Sequence, residues 1–138
     1  MRYASIVPLI GGETIAMQNV FKKKPEYILS YEDFKANDFN LVKYYKGEVP
    51  YYLIGNDRVP NLPSVDVVNT VCPCAGLSSL NPSASSDAAA NDWMPATARY
   101  VLGTIKPKVF WGENAPRFAS KVGEPIRENL RRIGEENG

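Results

Sequence analysis

The chain contains no histidine. That absence removes serine–histidine–acid and cysteine–histidine catalysis, and most catalytic zinc sites, in one step. Cysteine is nearly as scarce. Cys72 and Cys74 lie two residues apart, a spacing whose geometry does not suit an easy disulfide and that offers too few ligands for a metal site. Long apolar runs are missing too. No stretch approaches the ~20 residues needed to cross a bilayer. The start, Met1-Arg2-Tyr3, enters a short apolar run that Gly11-Gly12 ends, with no cleavage-like site. A cytoplasmic protein without a membrane partner is expected. An excess of one charge is also lacking, since 16 Lys and Arg against 15 Asp and Glu leave a net charge of +1. Charge therefore neither forces nor excludes a nucleic-acid partner, because a neutral average can hide a local basic patch. Lys22-Lys23-Lys24 and Arg127, Arg131 and Arg132 are candidate patches, although each alone reads first as solvated surface charge.

What is present suits one domain with a real core: 138 residues, 44% of them hydrophobic. Residues 4–10 read as a short buried strand, and Gly11-Gly12 as a turn that lets backbone approach a ligand closely. A helix is expected from Glu13 to Phe21, with Ile15, Ala16, Asn19 and Val20 at helical spacing and Pro25 stopping it. Residues 26–31 read as a second strand that ends at Glu32. Asp33 to Tyr45 reads as a helix with Phe34, Phe39, Leu41, Val42 and Tyr45 as its apolar set and Asn37-Asp38 weakening its middle. Residues 51–54 form a third strand and residues 65–71 a fourth. After the long small-residue loop from Asn81 to Asn91, Trp93 to Thr104 reads as a helix, with Ala98, Val101 and Leu102 inward and Pro95 in its first turn. Val109-Phe110-Trp111 is a fifth strand. From Pro116 onward, Val122, Ile126, Leu130 and Ile133 mark an amphipathic helix. Strands alternating with helices imply an α/β fold, a mostly parallel sheet with helices on both faces.

Two segments carry chemistry. Val71-Cys72-Pro73-Cys74-Ala75-Gly76-Leu77-Ser78 follows the fourth strand, and Gly112-Glu113-Asn114-Ala115-Pro116 follows the fifth. In open α/β sheets the carboxyl edge of the strands is where ligands bind. A thiol and a carboxylate at the ends of two strands make a plausible reaction centre. Glu32, at the end of the second strand, is placed to hydrogen-bond ribose hydroxyls. The loop at Gly11-Gly12 lacks the G-x-G-x-x-G signature, so an adenosine-containing ligand without phosphate fits better than a dinucleotide. Cys72 reads as a small core residue.

Pro73-Cys74-Ala75-Gly76-Leu77-Ser78 together with Glu113-Asn114-Ala115 resembles the DNA cytosine C5 methyltransferases, whose catalytic motifs are Pro-Cys-Gln-Gly-Phe-Ser, or close to it, and Glu-Asn-Val. The approach Lys106-Pro107-Lys108-Val109-Phe110 is similar to that family's strand before Glu-Asn-Val. Residues 5–12 align with the family's Asp-x-Phe-x-Gly-x-Gly-Gly, with Ser5, Val7 and Leu9 where the acid, the aromatic and the first glycine stand. The resemblance implies a Rossmann-like S-adenosylmethionine-dependent methyltransferase fold, present as a single partial catalytic domain over residues 1–138. It implies Cys74 as the nucleophile, Glu113 as the group that contacts the cytosine ring nitrogen and amine, and Asn114 as a brace for the loop. It implies Ile10, Gly11, Gly12, Glu32, Asp33, Asp57 and Pro73 as S-adenosylmethionine-binding residues. The partner would be DNA with a cytosine flipped from the helix.

The family's arginine-rich segment, target recognition domain and closing helix have no counterpart in this sequence. Full DNA methylation activity is therefore expected to need a second polypeptide or a missing carboxyl-terminal half. Two other readings stand beside this one. One is a catalytically degenerate module of the same kind that binds DNA or a partner protein as a regulator. The other is a cysteine-dependent α/β enzyme unrelated to DNA, against which the absence of histidine counts.

Overall fold

The computed structural model describes residues 1–71, 93–113 and 123–138. The chain divides into two compact units, one formed by Met1–Val71 with Pro107–Gly112 and the other by Cys72–Lys106 with Glu113–Gly138.

The first unit is a five-stranded sheet with two helices. Its elements run β1 (Tyr3–Ile6), α1 (Gly12–Phe21), β2 (Ile28–Ser30), a 3-10 turn (Glu32–Phe34), α2 (Lys35–Tyr45), β3 (Tyr51–Leu53), β4 (Val67–Thr70) and, after the second unit's first segment, β5 (Val109–Gly112). The strand order is β3-β2-β1-β4-β5, and every neighbouring pair is parallel. The expected α/β fold with a parallel sheet is therefore present. The chain winds outward from β1 to β3, crosses back to β4 and winds the other way to β5, so the winding reverses between β1 and β4.

Register divides the strand residues between two faces, because side chains alternate along a strand. Tyr3, Ser5, Ile28, Ser30, Tyr51, Leu53, Val67 and Asn69 share one face. Right-handed crossovers in a constant direction put α1 and α2 on a single face. The contacts agree. Tyr3, Met17 and Val67 pack with Phe21, while Ile28, Leu41, Tyr45 and Val49 pack with Ile15 and Tyr51. The Tyr45 hydroxyl also donates to Gln18 Oε1 at 2.8 Å, tying α2 to α1. Ala4, Ile6, Leu29 and Val68, on the opposite face, are fully buried. Strands buried on both faces read as near-continuous apolar runs, which is why these segments were recognisable.

Several sequence expectations need correcting. β1 ends at Ile6 rather than residue 10, because Val7 and Leu9 take left-handed conformations, with φ of 51° and 53°. α1 turns Thr14 and Met17 inward, and Val20 stays 72% exposed. The fully buried Thr14 hydroxyl bonds to Ser5 in β1, so a polar residue fixes the rotation of this helix. The helix stops at Lys22, left-handed with φ 60°, before Pro25 is reached. In α2, Phe34, Leu41 and Tyr45 are buried as expected, but Phe39 is exposed and Asp38 is buried in its place. β5 is an edge strand whose Val109 and Trp111 are exposed.

In the second unit, α3 (Trp93–Tyr100) runs into a π-helical turn, Val101–Ile105, that left-handed Lys106 ends. The helical span agrees with the sequence pattern, and Ala98 and Val101 are buried, with Leu102 half-buried. α4 (Glu124–Glu136) has Pro125 in its first turn and buries Ile126 and Ile133, two positions of the expected apolar stripe; Leu130 is half-buried, and Val122 lies outside the described residues. It continues through Gly134. α3 and α4 pack together, with Arg99 Nη2 donating to Asn129 Oδ1 at 3.4 Å. Arg131 pairs with both Glu128 and Glu135 on the exposed face of α4, so one of the candidate basic residues is already neutralised by its own helix.

Candidate functional site

Parallel strands place all their carboxyl ends along one edge, and in such sheets ligands bind there, at the point where the winding reverses. Here that point is the β1–β4 neighbour pair. Ile6 lies opposite Thr70, and the Val71 N–H donates to the Val7 carbonyl at 3.1 Å. Val7, at the start of the loop to Gly11-Gly12, and Val71 therefore leave the sheet side by side. Pro73, Cys74 and Asn114 lie outside the described residues, as does the loop from Asn81 to Asn91. The other candidates follow the remaining strand ends in sequence. Glu32 and Asp33 come after β2, Asp57 after β3 and Glu113 after β5.

The β1–α1 loop is a tight turn in which the Gly11 N–H donates to the Pro8 carbonyl at 3.0 Å. Gly11 has φ +92°, and a Cβ there would sit 2.6 Å from Leu41 Cδ1 and 2.9 Å from Leu41 Cγ. Glycine is required at this position on both counts. At Gly12 an added Cβ would meet nothing within 4 Å. Ile10 projects at the tip of the loop, 77% exposed.

Glu32 and Asp33 are exposed in the 3-10 turn that begins after β2. Asn56 Nδ2 donates to Glu32 Oε2 at 3.1 Å, which ties the β2 end to the β3 end. Glu32 also lines an open groove of about 460 Å³ with Lys35, Ala36 and Phe39. Asp57 Oδ2 accepts the Leu53 N–H at 2.7 Å and closes the turn after β3. Glu113 is exposed and directly follows Gly112. A Cβ on Gly112 would lie 2.7 Å from Thr70 Cγ2 and 3.1 Å from the Thr70 carbonyl oxygen, so glycine permits the close pairing of β5 with β4 just before the glutamate.

Two buried polar clusters under this edge escaped the sequence reading. The first joins β1, β4 and α1. Thr14 Oγ1 donates to Ser5 Oγ at 2.8 Å, Ser5 Oγ donates to Asn69 Oδ1 at 2.5 Å, and Asn69 Nδ2 donates to Glu13 Oε2 at 3.3 Å. Ser5, Thr14 and Asn69 are all fully buried. The second centres on Asp38. Its Oδ1 accepts the Leu9 N–H at 2.9 Å, and its Oδ2 accepts the Tyr51 hydroxyl at 2.6 Å. Burial holds the Asp38 carboxyl above the ordinary carboxylate range, while the Ser30 and Tyr51 hydroxyls and the Leu9 N–H pull the other way. The Ser30 hydroxyl, fully buried, acts on this carboxylate although its Oγ has no partner of full hydrogen-bonding geometry. Burial, and then the Asp38 carboxylate, pushes the Tyr51 hydroxyl well up. A signal for Asp38 existed. Phe34, Asp38, Leu41 and Tyr45 are spaced four, three and four apart, so an acid stands on the buried stripe of a helix.

Comparison with protein-family models and with curated proteins returns no match. Among the described residues, no helix is long and apolar enough to cross a membrane, and no group of three or more acidic or cysteine residues could hold a metal ion.

Proposed function

We propose that the chain is the catalytic amino-terminal portion of a DNA cytosine C5 methyltransferase with a Rossmann-like fold, which uses S-adenosylmethionine and acts with a second polypeptide or a further segment. The observation that carries this reading is the order of the parallel sheet. The Gly11-Gly12 loop follows β1 and Val71 follows β4, adjacent strands where the winding reverses, and Glu32 and Asp57 follow β2 and β3.

The residues at this edge fit an adenosylated, phosphate-free ligand. Gly12 leaves open space beside the loop. Exposed Glu32 offers a carboxylate for ribose hydroxyls. Leu9 also supports the reading. It stands where the resembled family has a glycine, and its φ of 53° is a conformation glycine adopts freely.

S-adenosylmethionine supplies an electrophilic methyl group. The chain's own residues make carbon 5 of cytosine able to accept it. The Cys74 thiolate adds to carbon 6, and Glu113, acting as a proton donor, protonates the ring nitrogen as that bond forms. Carbon 5 becomes an enamine carbon and takes the methyl group. Loss of the carbon 5 proton to a base then breaks the carbon 6–sulfur bond and returns the thiolate, and the ring nitrogen gives its proton back to Glu113, which leaves neutral 5-methylcytosine. The target base must leave the duplex to reach such a site.

A non-catalytic module that binds DNA or a partner as a regulator is the second reading. It is favoured by Ser5, which replaces the family's acid and is sealed in hydrogen bonds with Thr14 and Asn69. Two experiments separate the readings. The first is calorimetric titration with S-adenosylmethionine beside Glu32→Ala, and the second is covalent capture on an oligonucleotide containing 5-fluorocytosine beside Cys74→Ser. Binding weakened by Glu32→Ala, with an adduct lost in Cys74→Ser, supports the enzyme. Cofactor or DNA binding with no adduct, even with the completing polypeptide present, supports the regulator. A folded chain that binds neither cofactor nor DNA, even with the completing polypeptide present, sinks the enzyme reading, and one that binds no partner protein either sinks the regulator.

A further inference from the structure

The β1–α1 loop is strained, and a buried charge sits under it. Val7 and Leu9 both have positive φ, a conformation that bulky and β-branched residues avoid. Such residues persist only where the surroundings over-determine them, and they cluster at ligand clamps. Asp38 is fully buried on the α2 stripe between Phe34 and Leu41, where an apolar residue would pack without desolvating a charge. Its carboxylate takes the Leu9 N–H on one oxygen and the β3 hydroxyl of Tyr51 on the other, with Ser30 of β2 beside it. Residues of β2, β3 and α2 thus meet at one carboxylate, which holds one backbone amide of the loop.

We infer that Asp38 is a positioning residue, which clamps Leu9 in its left-handed conformation so that Gly11 and Gly12 are presented to the cofactor. The inference rests on the cofactor reading above. Tyr51 holds the carboxylate in place from the far side. The clamp explains how leucine can occupy a backbone position that glycine would take without help. Gly11 then packs against Leu41, one turn of α2 beyond Asp38, so the same helix holds the loop at two points.

The test uses the full chain and two readouts. Amide hydrogen exchange at Leu9 is compared with Val7, whose N–H bonds to the Leu29 carbonyl at 2.8 Å and serves as an internal reference. Affinity for S-adenosylmethionine is measured by calorimetry, and urea unfolding confirms that each variant is folded. Asp38→Ala removes a hydrogen bond to a charged group and should speed Leu9 exchange relative to Val7, and weaken cofactor binding, by about tenfold or more each. Asp38→Asn keeps an acceptor for Leu9 and should stay within about threefold of the parent. In a Leu9→Gly background the clamp has less to do, so Asp38→Ala should cost less than about threefold in affinity. Asp38→Ser, too short to reach Leu9, replaces Asp38→Ala if that variant does not fold. Equal loosening of Leu9 and Val7 would overturn the inference. So would a parent that binds cofactor as well as its Asp38→Ala variant, and so would an undiminished loss in the Leu9→Gly background. A folded parent that binds no cofactor, with the completing polypeptide present, overturns the cofactor reading and this inference together.

Discussion

Replacing Gly11 with alanine should destabilise the protein by about 3 kcal/mol. Two effects act in the same direction. The backbone at φ +92° is one that L residues enter only at a cost of about 1–2 kcal/mol. The new methyl would also stand 2.6–2.9 Å from Leu41 Cδ1, Cδ2 and Cγ. Leu41 cannot swing aside freely, being 2% exposed in a cluster with Ile28, Tyr45 and Val49, and overpacking of this kind costs about 1–3 kcal/mol. The reduced freedom of the unfolded chain returns about 0.4–1 kcal/mol. Urea unfolding of Gly11→Ala, Leu41→Ala and the double variant measures both parts. Leu41→Ala removes the clash, so the two substitutions should couple by about 1 kcal/mol or more in the compensating direction. Gly12→Ala is the control. Its Cβ meets nothing within 4 Å, so its stability should change by less than about 1 kcal/mol. Its affinity for S-adenosylmethionine should nonetheless fall, because that open space is where the proposed ligand approaches. A loss below about 1 kcal/mol in Gly11→Ala, or no coupling to Leu41, would refute the steric argument.

The remaining predictions concern ionisation and the β4–β5 contact. Burial raises the Asp38 pKa above its ordinary 3.8, so the folded state holds this proton more tightly than the unfolded state does. Its contribution to stability is complete below the ordinary value and is lost as pH rises through the raised one. Asp38→Asn, which never ionises, should therefore gain stability relative to the parent between pH 3 and pH 7 in urea titrations. Tyr45 is pushed up to about 12, chiefly by burial and then by Tyr44, and Tyr3 and Tyr51 are raised too. Stability should accordingly hold below pH 10 and fall as pH rises through about 12, with tyrosinate absorbance appearing in an early exposed class and a late class that coincides with unfolding. Gly112→Ala drives a methyl against Thr70 and should cost about 1–3 kcal/mol by urea unfolding. A neutral result would mean that β5 can shift away from β4.

Much of the sheet was legible because its strands are buried on both faces. Tyr3–Ile6, Ile28–Ser30 and Val67–Thr70 lie within apolar runs that no helical period explains. What misled the reading was polar burial. Thr14 rather than Val20 faces the sheet because its hydroxyl bonds to Ser5, and hydrophobic spacing carries no information about that bond. Asp38 was read as a weak point in α2, since acids in mid-helix usually face water. Here the charge has a dedicated amide and a phenol to meet. The end of β1 was misplaced for a related reason. Residues 7–10 are apolar enough to extend a strand, but Val7 and Leu9 turn left-handed under tertiary contacts that propensity does not encode. The order of the strands was legible, and parallel pairing puts the ends of β1, β2, β3 and β4, which Gly11, Glu32, Asp57 and Val71 follow, on one edge of the sheet.

Ser5, where the resembled family has an acid, has a physical account that does not depend on any cofactor. An acid at position 5 would face Asn69 and Thr14 from a fully buried strand, and serine meets both with one hydroxyl and no charge. Asn69 passes the chain of donors on to Glu13 in the first turn of α1. A carboxylate there sits at the positive end of the helix dipole, the place where nucleotide-binding folds seat a phosphate. Glu13 therefore works against a phosphate and in favour of a ligand with positive charge. The sequence lacked the dinucleotide signature, and the structure adds a reason of its own. If the loop binds a nucleotide-like molecule, electrostatics at Glu13 select one without a pyrophosphate. ATP or NAD competing with S-adenosylmethionine at equal affinity, and a Glu13→Gln variant with unchanged preference, would refute that selection.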